Sequence, residues 1–181
     1  YIHIPFCRKA CHYCNFHFST SLALKNDFLN ALLNEAGLQT NYLDGEVINT
    51  IYFGGGTPSL LEPGECDRIL NNIRSLYPVA TDAEITLEAN PDDLSTEKLL
   101  AWKDIGINRL SIGVQSFFEE DLTWMNRAHT AKHSIDHLEM ARRFFFYFTI
   151  DLIYGTPIIT DKKWSENVTR AIDLKIPNLS C

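Results

Sequence analysis

"NTIYFGGGTPSLLEPGECDRILNNIRSLY", residues 49–77, holds one complete structural unit. "NTIYF" (49–53) is a short apolar run rich in β-branched and aromatic residues, the composition of a strand. Gly54, Gly55 and Gly56 end it. Pro63 then stands near the first turn of a helical pattern, where its missing N–H costs nothing. A strand, a turn and a helix in that order form half of a crossover, and crossovers join parallel strands.

The same rhythm extends both ways. "YIHIPF" (1–6), "AEITLEA" (83–89), "NRLSIGV" (108–114), "YFTIDLIY" (147–154) and "NLSC" (178–181) read as further strands. Helical patterns separate them. "DFLNALLNEAGLQ" (27–39) puts Phe28, Leu29, Leu32, Leu33 and Ala36 on one face. "STEKLLAWKDIG" (95–106) starts on a Ser95 or Thr96 cap and ends on Gly106. "EEDLTWMN" (119–126), "TAKHSIDHLEMARR" (130–143) and "DKKWSENVTRAIDLK" (161–175) complete the set. Alternating elements imply an α/β fold with parallel strands. The runs read as continuously apolar, as expected of strands covered on both faces. Six such strands fit either a partial barrel or an open doubly wound sheet, and the pattern does not separate the two.

The chain has 181 residues, enough for one domain with a sizeable core. Its formal net charge of −7 repels phosphate backbones, so nucleic acid is not an expected partner. No apolar run approaches the ~20 residues of a membrane-spanning helix, and no signal peptide is visible. The absent initiator Met, and Cys181 falling in a strand-like run, suggest a piece of a longer protein. Five cysteines, three of them crowded into one loop, do not form a disulfide framework. Reduced thiols with a metal-binding role in the cytoplasm fit better.

The unusual residues follow the strands. Cys7, Cys11 and Cys14 come after the first, "GGGTP" (54–58) after the second, "EANP" (88–91) at the third, "GVQSF" (113–117) at the fourth and "DLIYGTP" (151–157) at the fifth. In parallel α/β folds the carboxyl ends of the strands share one rim, where ligands bind. Three thiolates with His17 would make a Cys₃His zinc site. Three thiolates alone would hold a [4Fe–4S] cluster with one iron open to an outside ligand. Consecutive glycines suit a backbone that a ligand approaches closely, and the absence of a following Gly-Lys-Ser/Thr excludes a P-loop. Glu88 and Asp151 would accept hydrogen bonds from ribose hydroxyls. Arg127 would clamp a carboxylate, and Gln115 both donates and accepts. His133 and His137, four apart on a helix without a carboxylate neighbour, read as surface residues. Cys66 reads as an inert helix residue and Cys181 as an inert strand residue.

"YIHIPFCRKACHYCNF" (1–16), "YFGGGTPSLL" (52–61), "NRLSIGVQSF" (108–117), "MNRAH" (125–129) and "DLIYGTP" (151–157) together resemble the radical S-adenosylmethionine (SAM) superfamily, in its coproporphyrinogen III oxidase-like branch. That branch holds oxygen-independent oxidases of HemN type and haem chaperones of HemW type. The resemblance spans the chain. It implies a partial (β/α)₆ TIM-like barrel, with residues 1–181 as a radical SAM core domain. It implies a [4Fe–4S] cluster on Cys7, Cys11 and Cys14, with SAM on the fourth iron. Cleavage of SAM to methionine and a 5′-deoxyadenosyl radical would follow one-electron reduction. Tyr1 and Tyr13 would flank SAM. Gly54, Gly55, Gly56 and Thr57 would meet it, and Glu88, Gln115, Arg127 and Asp151 would complete its recognition. No catalytic residue beyond the cluster is assigned. Haem or coproporphyrinogen III would be the partner, with a flavodoxin or ferredoxin as electron donor.

Three departures separate the two types. Phe16 stands where the oxidases resembling this chain usually carry a further Cys, Ser116 where they tend to have Asp, and "RAH" (127–129) is similar to the chaperones. These point to haem handling, with oxidative decarboxylation of coproporphyrinogen III as the alternative and a zinc-held α/β domain as a minor one. "RRFFFYF" (142–148) also departs, lacking the usual glycine, and its aromatics read as strand and core packing.

Overall fold

The computed structural model describes residues 1–181. Six strands, β1 (Ile2–Ile4), β2 (Ile48–Gly55), β3 (Val79–Ala89), β4 (Arg109–Gln115), β5 (Phe148–Leu152) and β6 (Asn178–Ser180), form one sheet. Every neighbouring pair is parallel. Between them run α1 (Lys25–Leu38), α2 (Pro63–Leu76), α3 (Thr96–Asp104), α4 (Glu119–Trp124), α5 (Ala131–Arg142) and α6 (Asp161–Asp173). Two short 3₁₀ turns, Pro58–Leu60 and Pro91–Asp93, follow β2 and β3.

Strand order decides between the two architectures left open by the sequence. It runs β1-β2-β3-β4-β5-β6 without a reversal. A doubly wound sheet reverses at a switch point; this one winds in a single sense and does not pair β6 with β1. The result is the open (β/α)₆ partial barrel.

The expectation of continuously apolar strands is corrected. One face is apolar and buried: Ile2, Ile4, Ile51, Phe53, Ile85, Leu87, Leu110, Ile112, Phe148 and Ile150. The alternate positions are His3, Tyr52, Thr86, Glu88, Ser111, Thr149 and Asp151, which are polar. Side chains alternate across a strand. The helices cover the apolar face, and the other face lines the hollow of the barrel. A filled core needs no polar residues there; a binding cavity does.

Local chemistry sets the helix starts. Glu62 and Glu65 form a reciprocal capping box at α2, with Pro63 in the first turn. Ser95, rather than Thr96, caps α3 by accepting from Lys98 N at 3.2 Å. The 142–148 segment divides: Phe145 and Phe148 are buried, whereas Phe146 is 80% and Tyr147 60% exposed. β5 begins only at Phe148, so the turn before it leaves two aromatics in solvent. Cys181 lies after β6 and is exposed, not inside a strand. His137 is half-buried because its Nδ1 bonds Pro91 O of the second 3₁₀ turn; His133 is exposed as expected. No helix is long and apolar enough to cross a membrane.

Candidate functional site

A cavity of about 460 Å³ opens at the carboxyl ends of the strands. Cys7, Cys11 and Cys14 line one wall, in a loop closed by Cys7 N→Ser19 O (3.0 Å) and Cys14 N→Cys11 O (3.2 Å). Thr57 Oγ1 donates toward Cys7 Sγ at 3.5 Å, and Arg127 Nη1 toward Cys11 Sγ at 3.5 Å. Burial, the largest influence, pushes the Cys7 thiol up, with Thr57 opposing it and the other two cysteines adding to it. A bound metal reverses that preference by stabilising the thiolate.

These features fit a cluster held by three thiolates: sulfur ligands on one wall, each of two receiving a hydrogen bond, with a cation alongside. They fit a single ion less well. His17, the fourth ligand of the zinc alternative, does not line the cavity.

Most of the remaining lining is built from strand ends. Gly55 and Gly56 belong to it, and both positions require glycine for reasons within the chain. Gly55 has φ +112°, and a Cβ there would lie 2.5 Å from the His3 ring. A Cβ on Gly56 would lie 2.7 Å from Phe6 O, in the backbone that leads to Cys7. The glycine run therefore brings β2 against the cysteine loop as well as baring backbone to the cavity. Glu88 accepts from Tyr52 Oη at 2.8 Å and from Gly55 N at 3.0 Å, which fixes its carboxylate. Burial raises the Glu88 and Asp151 carboxyls above the ordinary range, despite these and other hydrogen bonds.

At the end of β4 two neighbouring residues turn opposite ways. Its register breaks between Ile112 and Gln115, and Gln115 takes φ +70°. The bulge leaves Gln115 in the cavity lining and sends Ser116 into the protein. Ser116 is wholly buried: its hydroxyl donates to Asp121 Oδ2 at 2.7 Å and accepts from Asn167 Nδ2 at 3.1 Å. The Asp-to-Ser departure thus belongs to the packing of α4 and α6, not to the cavity.

Arg127 enters from the segment between α4 and α5. Its Nη2 donates to Asn90 Oδ1 at 2.6 Å and Gly113 O at 2.8 Å, and Nη1 to Tyr13 Oη at 3.2 Å. Burial works against its charge, but Tyr13 and Cys11 beside it outweigh that and strengthen its hold on the proton.

Of the residues singled out from sequence, Cys7, Cys11, Cys14, Tyr13, Gly55, Gly56, Thr57, Glu88, Gln115, Arg127 and Asp151 share this one cavity. Tyr1 and Gly54 do not line it: Tyr1 is 76% exposed and stacks on Tyr52, and a Cβ on Gly54 would meet both rings. Sequence reasoning missed Asn90, which bridges Arg127 and Thr57. The available signal was its place two residues after Glu88 at a strand end.

A family model described as the radical SAM superfamily matches residues 1–171. The haem chaperone HemW of Escherichia coli is 38% identical over 99% of this chain and 48% of its own length. HemW of Bacillus subtilis is 39% identical over 99% and 48%. The solved structure of E. coli coproporphyrinogen III oxidase (HemN), a radical SAM enzyme, superposes with a TM-score of 0.90 at 31% identity, over 99% of this chain and 42% of that one. The chain spans about half the length of the relatives it matches.

Proposed function

The chain belongs to the radical SAM superfamily, and on that premise we propose that it holds a [4Fe–4S] cluster on Cys7, Cys11 and Cys14, binds SAM in the strand-end cavity and handles haem as a HemW-type chaperone. The observation that carries this is convergence. Six segments far apart in sequence meet around one cavity, bringing three thiols together with a set of hydrogen-bonding groups.

When bound, the cluster and SAM supply one-electron chemistry. The chain's own residues bind, orient and exclude water. Thr57 and Arg127 direct hydrogen bonds at two of the sulfurs. Arg127 also puts a buried positive charge where a carboxylate would dock. Glu88, held by Tyr52 and Gly55, offers its remaining lone pairs to ribose hydroxyls, and Asp151 does so from β5. Gln115 pairs with whatever polar edge faces β4. Tyr13, with its hydroxyl pushed up mainly by burial, stays neutral and donates or accepts beside the cluster loop. Residues 1–181 act as the core domain, in a cytoplasmic protein that draws electrons from a flavodoxin or ferredoxin.

Two observations favour haem handling. Relatives 38% and 39% identical to this chain are named as haem chaperones. Phe16, 70% exposed at the cavity lining, is an apolar ring at the position where the oxidases this chain resembles usually carry a thiol. The likeness to HemN favours the second reading, oxidative decarboxylation of coproporphyrinogen III. The test uses the full-length protein, reconstituted anaerobically with iron and sulfide. With SAM and a low-potential reductant, the proposal expects stable haem binding and no decarboxylated product from coproporphyrinogen III. Formation of protoporphyrinogen IX would overturn it.

A further inference from the structure

Asn90 joins two groups that each reach a cysteine. Arg127 Nη1 donates toward Cys11 Sγ, and Thr57 Oγ1 toward Cys7 Sγ, both at 3.5 Å. Asn90 lies between the two donors. Its Oδ1 is 2.6 Å from Arg127 Nη2, and its Nδ2 is 3.4 Å from Thr57 Oγ1.

Donor chemistry fixes the direction of every link. A guanidinium donates and never accepts, so the Asn90 atom that faces Arg127 is the carbonyl oxygen. The amide nitrogen then faces Thr57, and it only donates. Thr57 Oγ1 accepts that bond and keeps its own proton for Cys7 Sγ. Three donors thus run in one sense, from Arg127 through Asn90 and Thr57 to the Cys7 sulfur. Hydrogen bonds aligned in this way polarise one another, and this chain of them starts on a cation.

The surroundings hold the relay in place. Thr57 is 5% exposed, which leaves little water to compete for its hydroxyl. Asn90 N donates to Ser59 Oγ at 3.2 Å, and Ser59 Oγ donates to Asp93 Oδ2 at 2.7 Å. Ser59 sits in the 3₁₀ turn that begins directly after Thr57, so the ends of β2 and β3 are tied together here. A Cβ on Gly113 would lie 3.3 Å from Arg127 Nη2 and 3.5 Å from Asn90 Oδ1, crowding their contact. The glycine of "GVQ" therefore leaves room for the first link.

We infer that Asn90 is a positioning residue that couples Arg127 to Cys7 through the Thr57 hydroxyl, and that this relay raises the reduction potential of the cluster those cysteines hold. A hydrogen bond to a ligating sulfur stabilises the reduced cluster, which carries one more negative charge, over the oxidised one. Arg127 reaches Cys11 directly. Through Asn90 the same cation also acts on Cys7, on the far side of Thr57. Asn90 itself bonds no sulfur, so its effect on the cluster passes through Thr57.

This inference rests on the proposed cluster, and the test separates the two. In reconstituted full-length protein without SAM, electron paramagnetic resonance reads the ratio of reduced to oxidised cluster at the potential that half-reduces wild type. Thr57→Val should lower that ratio about threefold or more, and Thr57→Ser, which keeps the hydroxyl, should match wild type. Asn90→Leu should lower the ratio too, but much less when Thr57 is already Val. Equal effects of Asn90→Leu in the two backgrounds would overturn the inference, as would an unchanged ratio in Thr57→Val or in Asn90→Leu. In cluster-free full-length protein, nuclear Overhauser contacts should place the Asn90 side-chain NH₂ protons beside Thr57; finding them beside Arg127 would overturn the relay. If wild type assembles no cluster, the proposed function fails and these contacts still decide the direction of the relay. If Thr57→Val assembles none, the ratio in Asn90→Leu decides.

Discussion

Asp151 and Glu88 illustrate what a binding cavity costs its own side chains. Burial is the largest influence on both carboxyls, and it raises them. Between the ordinary carboxylate range and the raised value, the folded state holds more protons than the unfolded one. Stability therefore falls as pH rises through that window, and the penalty is complete above it. Asp151→Asn should melt at a higher temperature than wild type at about pH 7 in the cofactor-free state, with the advantage shrinking as pH falls below the ordinary carboxylate range. The same variant should bind SAM more weakly. Thermal melts across pH check the first point and equilibrium dialysis the second; a lower melting temperature at neutral pH would contradict it. Residues of this kind were legible because each is a carboxylate near the carboxyl end of a strand. Asn90 was not, since its role is to link Arg127 with Thr57, and neither partner is near it in sequence.

The element that decides which residues face the cavity is the bulge at the end of β4. Gln115, at φ +70°, lines the cavity, and Ser116 turns inward. Ser116, Asp121 and Asn167 are each wholly buried, and Asn167 Oδ1 also accepts from Phe117 N at 2.8 Å. Ser116→Ala leaves buried acceptors without their donor, which should cost about 1–3 kcal/mol. Urea denaturation should show a lower midpoint with an unchanged slope, and SAM affinity should not move. Loss of SAM binding in a folded Ser116→Ala protein would return this residue to the site. A bulge adds a residue without a sequence signature of its own, so the apolar-polar reading of "GVQSF" could not say which side chain turned in. The glycine run was legible as a tight approach. That Gly56 meets the Phe6 backbone, and not only a ligand, needed the register of β1 against β2.

Over the whole molecule, the alternation of strands and helices was legible, and so was the shared rim. The winding was not, because the order of strands in space is set by contacts between segments rather than by any one of them. The sheet's unbroken order then explains why the polar residues of the strands lie on the inner face of one partial barrel. The same order gathers the three cysteines with Glu88, Gln115, Arg127 and Asp151. The central claim is that three thiolates leave one position of a cluster for SAM. Anaerobic reconstitution, iron and sulfide analysis and electron paramagnetic resonance of the reduced protein test it most directly, with Cys11→Ala alongside. The account predicts about four iron and four sulfide per chain in wild type, a cluster signal that changes on adding SAM, and neither in Cys11→Ala. One metal without sulfide, or full iron content in Cys11→Ala, would contradict it.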